Sequence, residues 1–332
     1  MAIKLKPLSE QVIVITGASS GIGLATAKAA AKKGAKLVLA SRNEEGLREA
    51  EQEVKTAGGQ AVYVVADVGR MEDVKSIAEK ANESYGGFDS WVNNAGVSIY
   101  GSLMEISEED HRKLFETNFW GVVYGSQVAA LHLKNKGGAI INVGSVLSDY
   151  ALPMQGMYSA SKHAVKGFTD AFRQELENEK APISITLIKP ASINTPYTEH
   201  ARNYTSRENT VPPPVYAPEE VANAILYAAT HQKRDIFVGG AGKFMSTTNR
   251  YAPSLMDWMG KNMFIKQQFR EDSAKNRDGA LHEHQQDGNV HGNYKGYMRK
   301  KSFFTRASMY PVIAGSVLAV GAAAITILSR RN

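Results

Sequence analysis

From residue 10 to residue 240, short apolar runs alternate with longer amphipathic ones. The runs Val12–Thr16, Leu37–Ala40, Ala61–Ala66, Trp91–Asn93, Ala139–Val143, Ile183–Ile188 and Ile236–Val238 are brief, rich in Val and Ile, and mostly continuously apolar. That is the pattern of strands covered on both faces. Between them Ile22–Lys33, Glu44–Thr56, Glu72–Ser84, Glu108–Leu133, Tyr158–Glu179 and Pro218–His231 carry helical periodicity. Alternation of this kind predicts right-handed crossovers and an α/β architecture: a doubly wound, seven-stranded parallel sheet with helices on both faces. Ligands then bind beyond the carboxyl ends of the strands.

The pattern changes after residue 250. Leu255, Met256, Trp258, Met259, Met263 and Phe264 recur at helical spacing over 251–270, which reads as an amphipathic helix packed on the body, or as a lid or interfacial helix. Residues 271–308 are rich in Asp, Asn, Gln, Gly and Lys, the composition of a flexible, basic linker. His282, His284 and His291 fall there and read as solvated linker histidines, with no metal site expected. Met309–Leu328 is an uncharged run whose length matches a bilayer core of about 30 Å. Arg299, Lys300, Lys301 and Arg306 before it and Arg330 and Arg331 after it predict a single transmembrane helix with the body, 1–250, on the cytoplasmic side. The N-terminus has no apolar stretch of signal-peptide length.

Composition adds three exclusions. Hydrophobic residues at 43% and charged residues at 22% are ordinary for a folded protein. The chain has no cysteine, so thiol catalysis and Cys-ligated metals are ruled out. Its net charge of +6 is unevenly placed: residues 1–260 hold 27 Lys+Arg against 28 Asp+Glu, residues 261–332 hold 12 against 5. The basic excess belongs to the tail, and no nucleic-acid surface is expected on the body.

The first strand runs into Thr16-Gly17-Ala18-Ser19-Ser20-Gly21-Ile22-Gly23, which opens a helix. Glycines there let the backbone turn tightly beside a pyrophosphate, and the helix start offers N–H groups to it. The second strand ends in Ser41-Arg42, with no acid to accept ribose hydroxyls; a hydroxyl and a guanidinium suit a 2′-phosphate, favouring NADP(H) over NAD(H). Asp67, with Val68 beside it, ends the third strand facing the adenine, and Asn94-Ala95-Gly96 follow the fourth beside the cofactor. Ser145 ends the fifth strand, and Tyr158 and Lys162 share a helix face at i and i+4. Tyr-x-x-x-Lys is a cheap pattern, recurring at Tyr297–Lys301; Ser145 and Asn118 in the preceding helix give the first its weight.

TGASSGIG, the Asn93-Asn94-Ala95-Gly96 run, Asn118, Ser145, Tyr158–Lys162 and Lys189–Thr195 together resemble the short-chain dehydrogenase/reductase family over about residues 8–245. The sixth-strand segment departs from the family's usual Pro-Gly by having Pro190-Ala191. The resemblance implies a Rossmann-type NAD(P)-binding catalytic domain and carbonyl–alcohol interconversion by hydride transfer. It implies Tyr158 as general acid/base, Lys162 lowering the Tyr158 pKa and holding the nicotinamide ribose, and Ser145 bonding the carbonyl oxygen. Asn118 would hold a water leading to Lys162, while the Ile22 backbone, Pro190, Ile193 and Thr195 contact the cofactor. Homodimers or homotetramers packed through the helices carrying Asn118 and Tyr158 are also implied. Between Ser145 and Tyr158 lie Val146, Leu147, Tyr150, Leu152 and Met154, and after the sixth strand Pro196–Pro218 reads as a lid bearing Tyr197, Tyr204 and Tyr216. These apolar walls and the anchor favour a lipophilic carbonyl or alcohol substrate. A non-catalytic NADP(H)-binding sensor or scaffold at a membrane is the alternative.

Overall fold

Val12–Thr16 (β1), Lys36–Ser41 (β2), Gln60–Val65 (β3), Ser90–Asn93 (β4), Gly138–Val143 (β5), Ile183–Pro190 (β6) and Asp235–Val238 (β7) form one parallel sheet in the order β7-β6-β5-β4-β1-β2-β3. The structure is a computed structural model and describes residues 3–311 apart from 276, 286 and 287. All seven expected strands are present, displaced by one or two residues at their ends. β1, β4, β5 and β6 are buried along their whole length, as the continuous apolar runs require. The chain reverses direction across the sheet between β1 and β4, so the crevice at that switch point opens above their carboxyl ends.

Helices cover both faces. Gly21–Ala31 (α1), Glu44–Thr56 (α2) and, later, Pro218–Ala228 lie on one side, where Leu24, Ala27, Leu47, Val54, Val221 and Ile225 meet Ile13, Ile15 and Leu39. Met71–Tyr85 (α3) and the helices between Glu108 and Asn178 lie on the other, where Ile77, Ala81, Ala129 and Leu133 pack on Val14, Val38 and Trp91. The expected helix Glu108–Leu133 is continuous in path but not in winding. Glu108–Phe115 (α4) and Gly121–Leu133 (α5) are joined by a π-turn, Glu116–Trp120, with Asn118 at its centre. Looser turns of this kind recur at functional sites. Gly156–Asn178 (α6) and Pro218–Ala228 (α7) complete the doubly wound body.

Beyond β7 the chain forms Gly240–Tyr251 (α8) and Pro253–Met259 (α9), then a second π-turn, Gly260–Phe264. Met256 and Phe264 are buried against Val146, Leu147, Tyr150 and Leu152, so the 251–270 segment packs on the body beside the site. Leu255 and Trp258 remain 48% and 57% exposed.

Residues 271–308 do not form the expected free linker. Phe269–Ser273 pairs antiparallel with Arg207–Asn209, Met298–Arg299 pairs with Val215–Tyr216, and Phe303–Met309 (α10) packs on β7 and α7. Leu281 is fully buried, and Arg306 bonds the buried Glu220 carboxylate at 2.9 Å. Composition misleads here because the segment docks chiefly through hydrogen bonds from polar side chains and backbone, which leave no apolar periodicity to read. Met309 and Tyr310, expected to open the membrane run, also belong to the body: Tyr227 Oη bonds the Met309 carbonyl at 2.5 Å, and the Tyr227 and Tyr310 rings stand 5.0 Å apart. Among the described residues no helix is long and apolar enough to cross a membrane. The rest of the expected span, 312–328, lies outside the described residues.

Candidate active site

Thr16 sets the floor of the crevice. Its hydroxyl accepts from the backbone N–H of Asn94 (3.0 Å) and Ala95 (3.1 Å), and Asn94 Nδ2 donates to the carbonyls of Thr16 (2.9 Å) and Gly17 (3.2 Å). β1 and β4 are thereby stapled at their ends, and the glycine turn is held against the Asn94–Gly96 segment. Two glycines are sterically forced. Gly17 has φ +64°, and a Cβ on Gly23 would lie 2.0 Å from the Gly17 carbonyl oxygen. Ser20, the N-cap of α1, makes no side-chain cap, and the Gly21 N–H is met instead by the Asn289 carbonyl (2.9 Å).

The cleft has a volume of about 290 Å³ and runs from Ser41, Arg42 and Asp67 at one end to Ser145 and Tyr158 at the other. Of the catalytic and cofactor residues singled out in the sequence, all line it except Thr16, Gly23 and Asn118; of the expected wall and lid residues, Met154, Tyr204 and Tyr216 do not. Asp67 accepts from the Gly69 N–H (2.9 Å) and from Lys113 Nζ (3.1 Å). Burial alone would raise its pKa, but these hydrogen bonds and the charges of Lys113 and Arg42 hold the carboxyl below its usual value. Thr195 abuts Gly21, and its hydroxyl caps the short helix Pro196–Thr198. The methyl of Ala191, the departure from Pro-Gly, is accommodated by glycines: a Cβ on Gly239 would stand 2.9 Å from it, and one on Gly242 3.2 Å.

At the other end, α6 brings Tyr158 and Lys162 under the end of β5. Lys162 Nζ donates to the Val143 carbonyl (3.0 Å) and stands 5.7 Å from the centre of the Tyr158 ring; Tyr158 is hydrogen-bonded to Ser145 and to Tyr197. The sequence reading had Lys162 lowering the Tyr158 pKa. Burial dominates instead. It pushes the phenol up to about 12, against the opposing hydrogen bonds from Tyr197 and Ser145, and pushes the Lys162 ammonium down to about 8. Asn118 is fully buried with its amide satisfied: Oδ1 accepts from the Val97 N–H (2.8 Å), while Nδ2 donates to the Val97 carbonyl (2.9 Å) and to Ser161 Oγ (3.2 Å). Its side chain therefore ties the π-turn to the strand-four loop and to α6.

Three residues escaped the sequence reading or changed role. Tyr197, expected in a lid, stacks edge-on against Tyr158 with ring centres 5.5 Å apart, and its hydroxyl sits 2.7 Å from Ser98 Oγ and 2.8 Å from Gln155 Oε1. Gln155 continues to Gln268 at 2.9 Å, and Tyr100 packs on Tyr197 at 6.4 Å. Gln155 and Tyr100 carried no motif; only their proximity to Tyr158 in space marks them. Arg42 reaches the cleft as expected, but its Nη1 donates to the carbonyls of Leu281 (3.2 Å) and His282 (3.1 Å) and its Nη2 to that of Ala280. The supposed linker histidines are engaged too: His282 Nε2 lies 2.7 Å from Asp110 Oδ1, and His291 Nε2 lies 2.9 Å from Glu219 Oε1. No group of three metal-ligating side chains occurs among the described residues.

A glycine turn on β1, a helix start without a side-chain cap and a Ser–Tyr–Lys set on β5 and α6 define an NAD(P)-binding oxidoreductase fold. The sequence agrees: residues 11–205 match the family model described as short chain dehydrogenase, and the chain belongs to that family. It is similar to the uncharacterized oxidoreductase YxnA of Bacillus subtilis, 46% identical over 321 residues, covering 96% of this chain and 90% of that protein. It is also similar to 11-beta-hydroxysteroid dehydrogenase A of Sesamum indicum, 32% identical over 77% of this chain and 76% of that one. Among solved structures it resembles a short-chain dehydrogenase/reductase from Burkholderia phymatum in complex with NAD (TM-score 0.69, 29% identity, 76% of this chain and 96% of that one). An alcohol dehydrogenase from Thermococcus sibiricus complexed with 5-hydroxy-NADP has a TM-score of 0.61 and 27% identity over 69% of this chain and 95% of that one.

Proposed function

We propose that this protein interconverts a carbonyl and an alcohol with NADP(H), on a lipophilic substrate. The observation that carries the reading is the convergence of Ser145, Tyr158 and Lys162 at the inner end of a cleft whose outer end is the glycine turn. A nicotinamide cofactor held along the glycine turn, Asn94–Gly96 and Lys162 would supply the hydride for the carbonyl or take it up from the alcohol. Tyr158 donates the proton to the forming alkoxide, or removes it from the alcohol, a step typically worth about 10²- to 10⁴-fold. Ser145 donates a hydrogen bond to the same oxygen as negative charge develops there. Lys162, whose Nζ stands 5.7 Å from the centre of the Tyr158 ring, would hold the nicotinamide ribose.

The NADP(H) preference rests on Arg42. Of the five N–H donors of a guanidinium, three meet the carbonyls of residues 280–282. The remaining two are suited to a 2′-phosphate, and Asp67 is too far committed to Lys113 and Gly69 to oppose one. Apolar substrate preference rests on the wall: Val146, Leu147, Tyr150 and Leu152 line the catalytic end, and a smaller hollow beside it adds Pro212–Pro214, Met245 and Phe264.

The uncharged run Met309–Leu328, whose first residues pack on the body, would anchor it to a bilayer through residues 312–328. Pairing of copies through α5 and α6 would cover the exposed Trp120. The deciding experiment is NADPH oxidation by the wild type and Tyr158→Phe across a panel from sugars to long-chain aldehydes and steroid ketones. Turnover of apolar carbonyls that is lost in Tyr158→Phe, with NADPH binding retained, is the expected result. Better turnover of sugars than of apolar ketones would refute the substrate class. Binding without any turnover would favour the sensor reading.

A further inference from the structure

Two neighbouring stretches of chain, 280–285 and 288–289, are held at the outer end of the cleft. On the β2 side, Arg42 holds the carbonyls of Ala280, Leu281 and His282, and Asn43 Nδ2 donates to the Gln285 carbonyl at 3.0 Å. On the glycine-turn side, the Gly21 N–H donates to the Asn289 carbonyl (2.9 Å) and the Gly288 N–H to the Ser19 carbonyl (3.1 Å). Ala280, His284 and Gln285 line the cleft together with Ser19, Ser41 and Asp67. None of these C-terminal residues falls within the 11–205 span matched by the family model.

The first stretch is anchored away from the cleft as well. Leu281, fully buried, sits among Val97, Ile99, Ile106 and Leu114. His282 bonds Asp110, and Gly279, at φ +59°, packs so closely that a Cβ would stand 2.5 Å from Ala201 C and His200 O. An otherwise polar segment thus commits its one fully buried leucine and a conformationally restricted glycine to holding its neighbours over the cofactor cleft.

We propose that residues 280–285 complete the adenosine end of the dinucleotide site, fixing Arg42 through their carbonyls and closing over the bound cofactor as a strap. The proposal rests on the dinucleotide reading of the cleft. Held to the β2 lip, the strap lines the adenosine end, and cofactor enters and leaves when it releases. Its attachments are individually modest hydrogen bonds plus one apolar anchor, a combination that opens locally without unfolding the body.

The test uses the full-length protein and NADPH fluorescence in a stopped-flow instrument, comparing wild type with Leu281→Asp and Gly279→Ala. Neither residue lines the cleft, and each displaces the strap by a different route: a carboxylate in an apolar pocket, or a side chain with no room. Val165→Ala, in a separate core cluster, controls for general destabilisation. The expected result is NADPH dissociation faster by about tenfold or more in both strap variants, with association no slower and the Val165→Ala rates unchanged. In the wild type, amide hydrogen exchange at residues 280–285 should slow when NADPH is added. If Leu281→Asp fails to fold, Gly279→Ala and the exchange measurement decide. Dissociation rates within about twofold of wild type in the folded variants, or exchange at 280–285 indifferent to NADPH, would overturn the proposal. Absence of any NADPH or NADH binding by the wild type would instead overturn the dinucleotide reading, and the strap with it.

Discussion

Replacing Lys162 with methionine should stabilise the ligand-free protein more at pH 7 than at pH 10, while removing turnover. The Lys162 side chain is 4% exposed, and burial lowers its pKa from 10.5 to about 8. Below pH 8 both the native and unfolded chains carry the ammonium, and the native state bears its full desolvation cost. Between pH 8 and 10.5 the unfolded chain still holds a proton that the native chain has released, so stability rises with pH across that window. A gap of about 2.5 units corresponds to roughly 3 kcal/mol. The substitution removes this cost below pH 8 and gains nothing above 10.5. It also strands the Val143 carbonyl, which loses its 3.0 Å partner. That loss costs about 1–3 kcal/mol, but equally at every pH. Urea denaturation at the two pH values separates the two effects, since only the first changes between them. The stability difference between variant and wild type should therefore shift in the variant's favour by about 2–3 kcal/mol on going from pH 10 to pH 7. A difference that stays constant with pH would refute the reasoning, because it would mean that Lys162 is not held in a desolvated site.

Three further outcomes follow from the geometry. Tyr197→Phe removes a hydrogen bond that opposes the rise in the Tyr158 pKa, so the pH profile of alcohol oxidation should move to higher pH, with kcat changed by less than about tenfold; an unmoved profile would remove Tyr197 from the proton path. Arg42→Ala should lower kcat/KM for NADPH by about tenfold or more and that for NADH much less, and an equal loss with both would show that Arg42 does not read the 2′-phosphate. Gly23→Ala forces a methyl to 2.0 Å from the Gly17 carbonyl. It should weaken NADPH binding at least about tenfold and lower Tm, at a cost of about 1–3 kcal/mol or more; unchanged affinity by fluorescence titration would contradict the packing of the turn.

The sequence by itself determined the sheet, the helices over it and the outline of the chemistry, because those features are written locally. A strand buried on both faces is mostly apolar, a turn at φ +64° calls for glycine, and side chains three or four residues apart share a helix face. Tyr158, Lys162 and Ser145 could be placed for those reasons. The π-turn at Asn118 could not, since nothing in the periodicity of Glu108–Leu133 distinguishes a looser turn from a regular one.

Tertiary structure alone decided which polar residues meet. Tyr197 finds Tyr158, and Gln155 finds Gln268, across loops whose spacing carries no pattern. Arg42 finds the Leu281 carbonyl 239 residues away. Backbone carbonyls are the same in every residue, so a segment that docks through them looks, in sequence, like any polar linker. For the same reason the balance between Lys162 and Tyr158 was beyond reach: the charge of a lysine can be read from its letter, but the burial that sets its pKa belongs to the assembled fold.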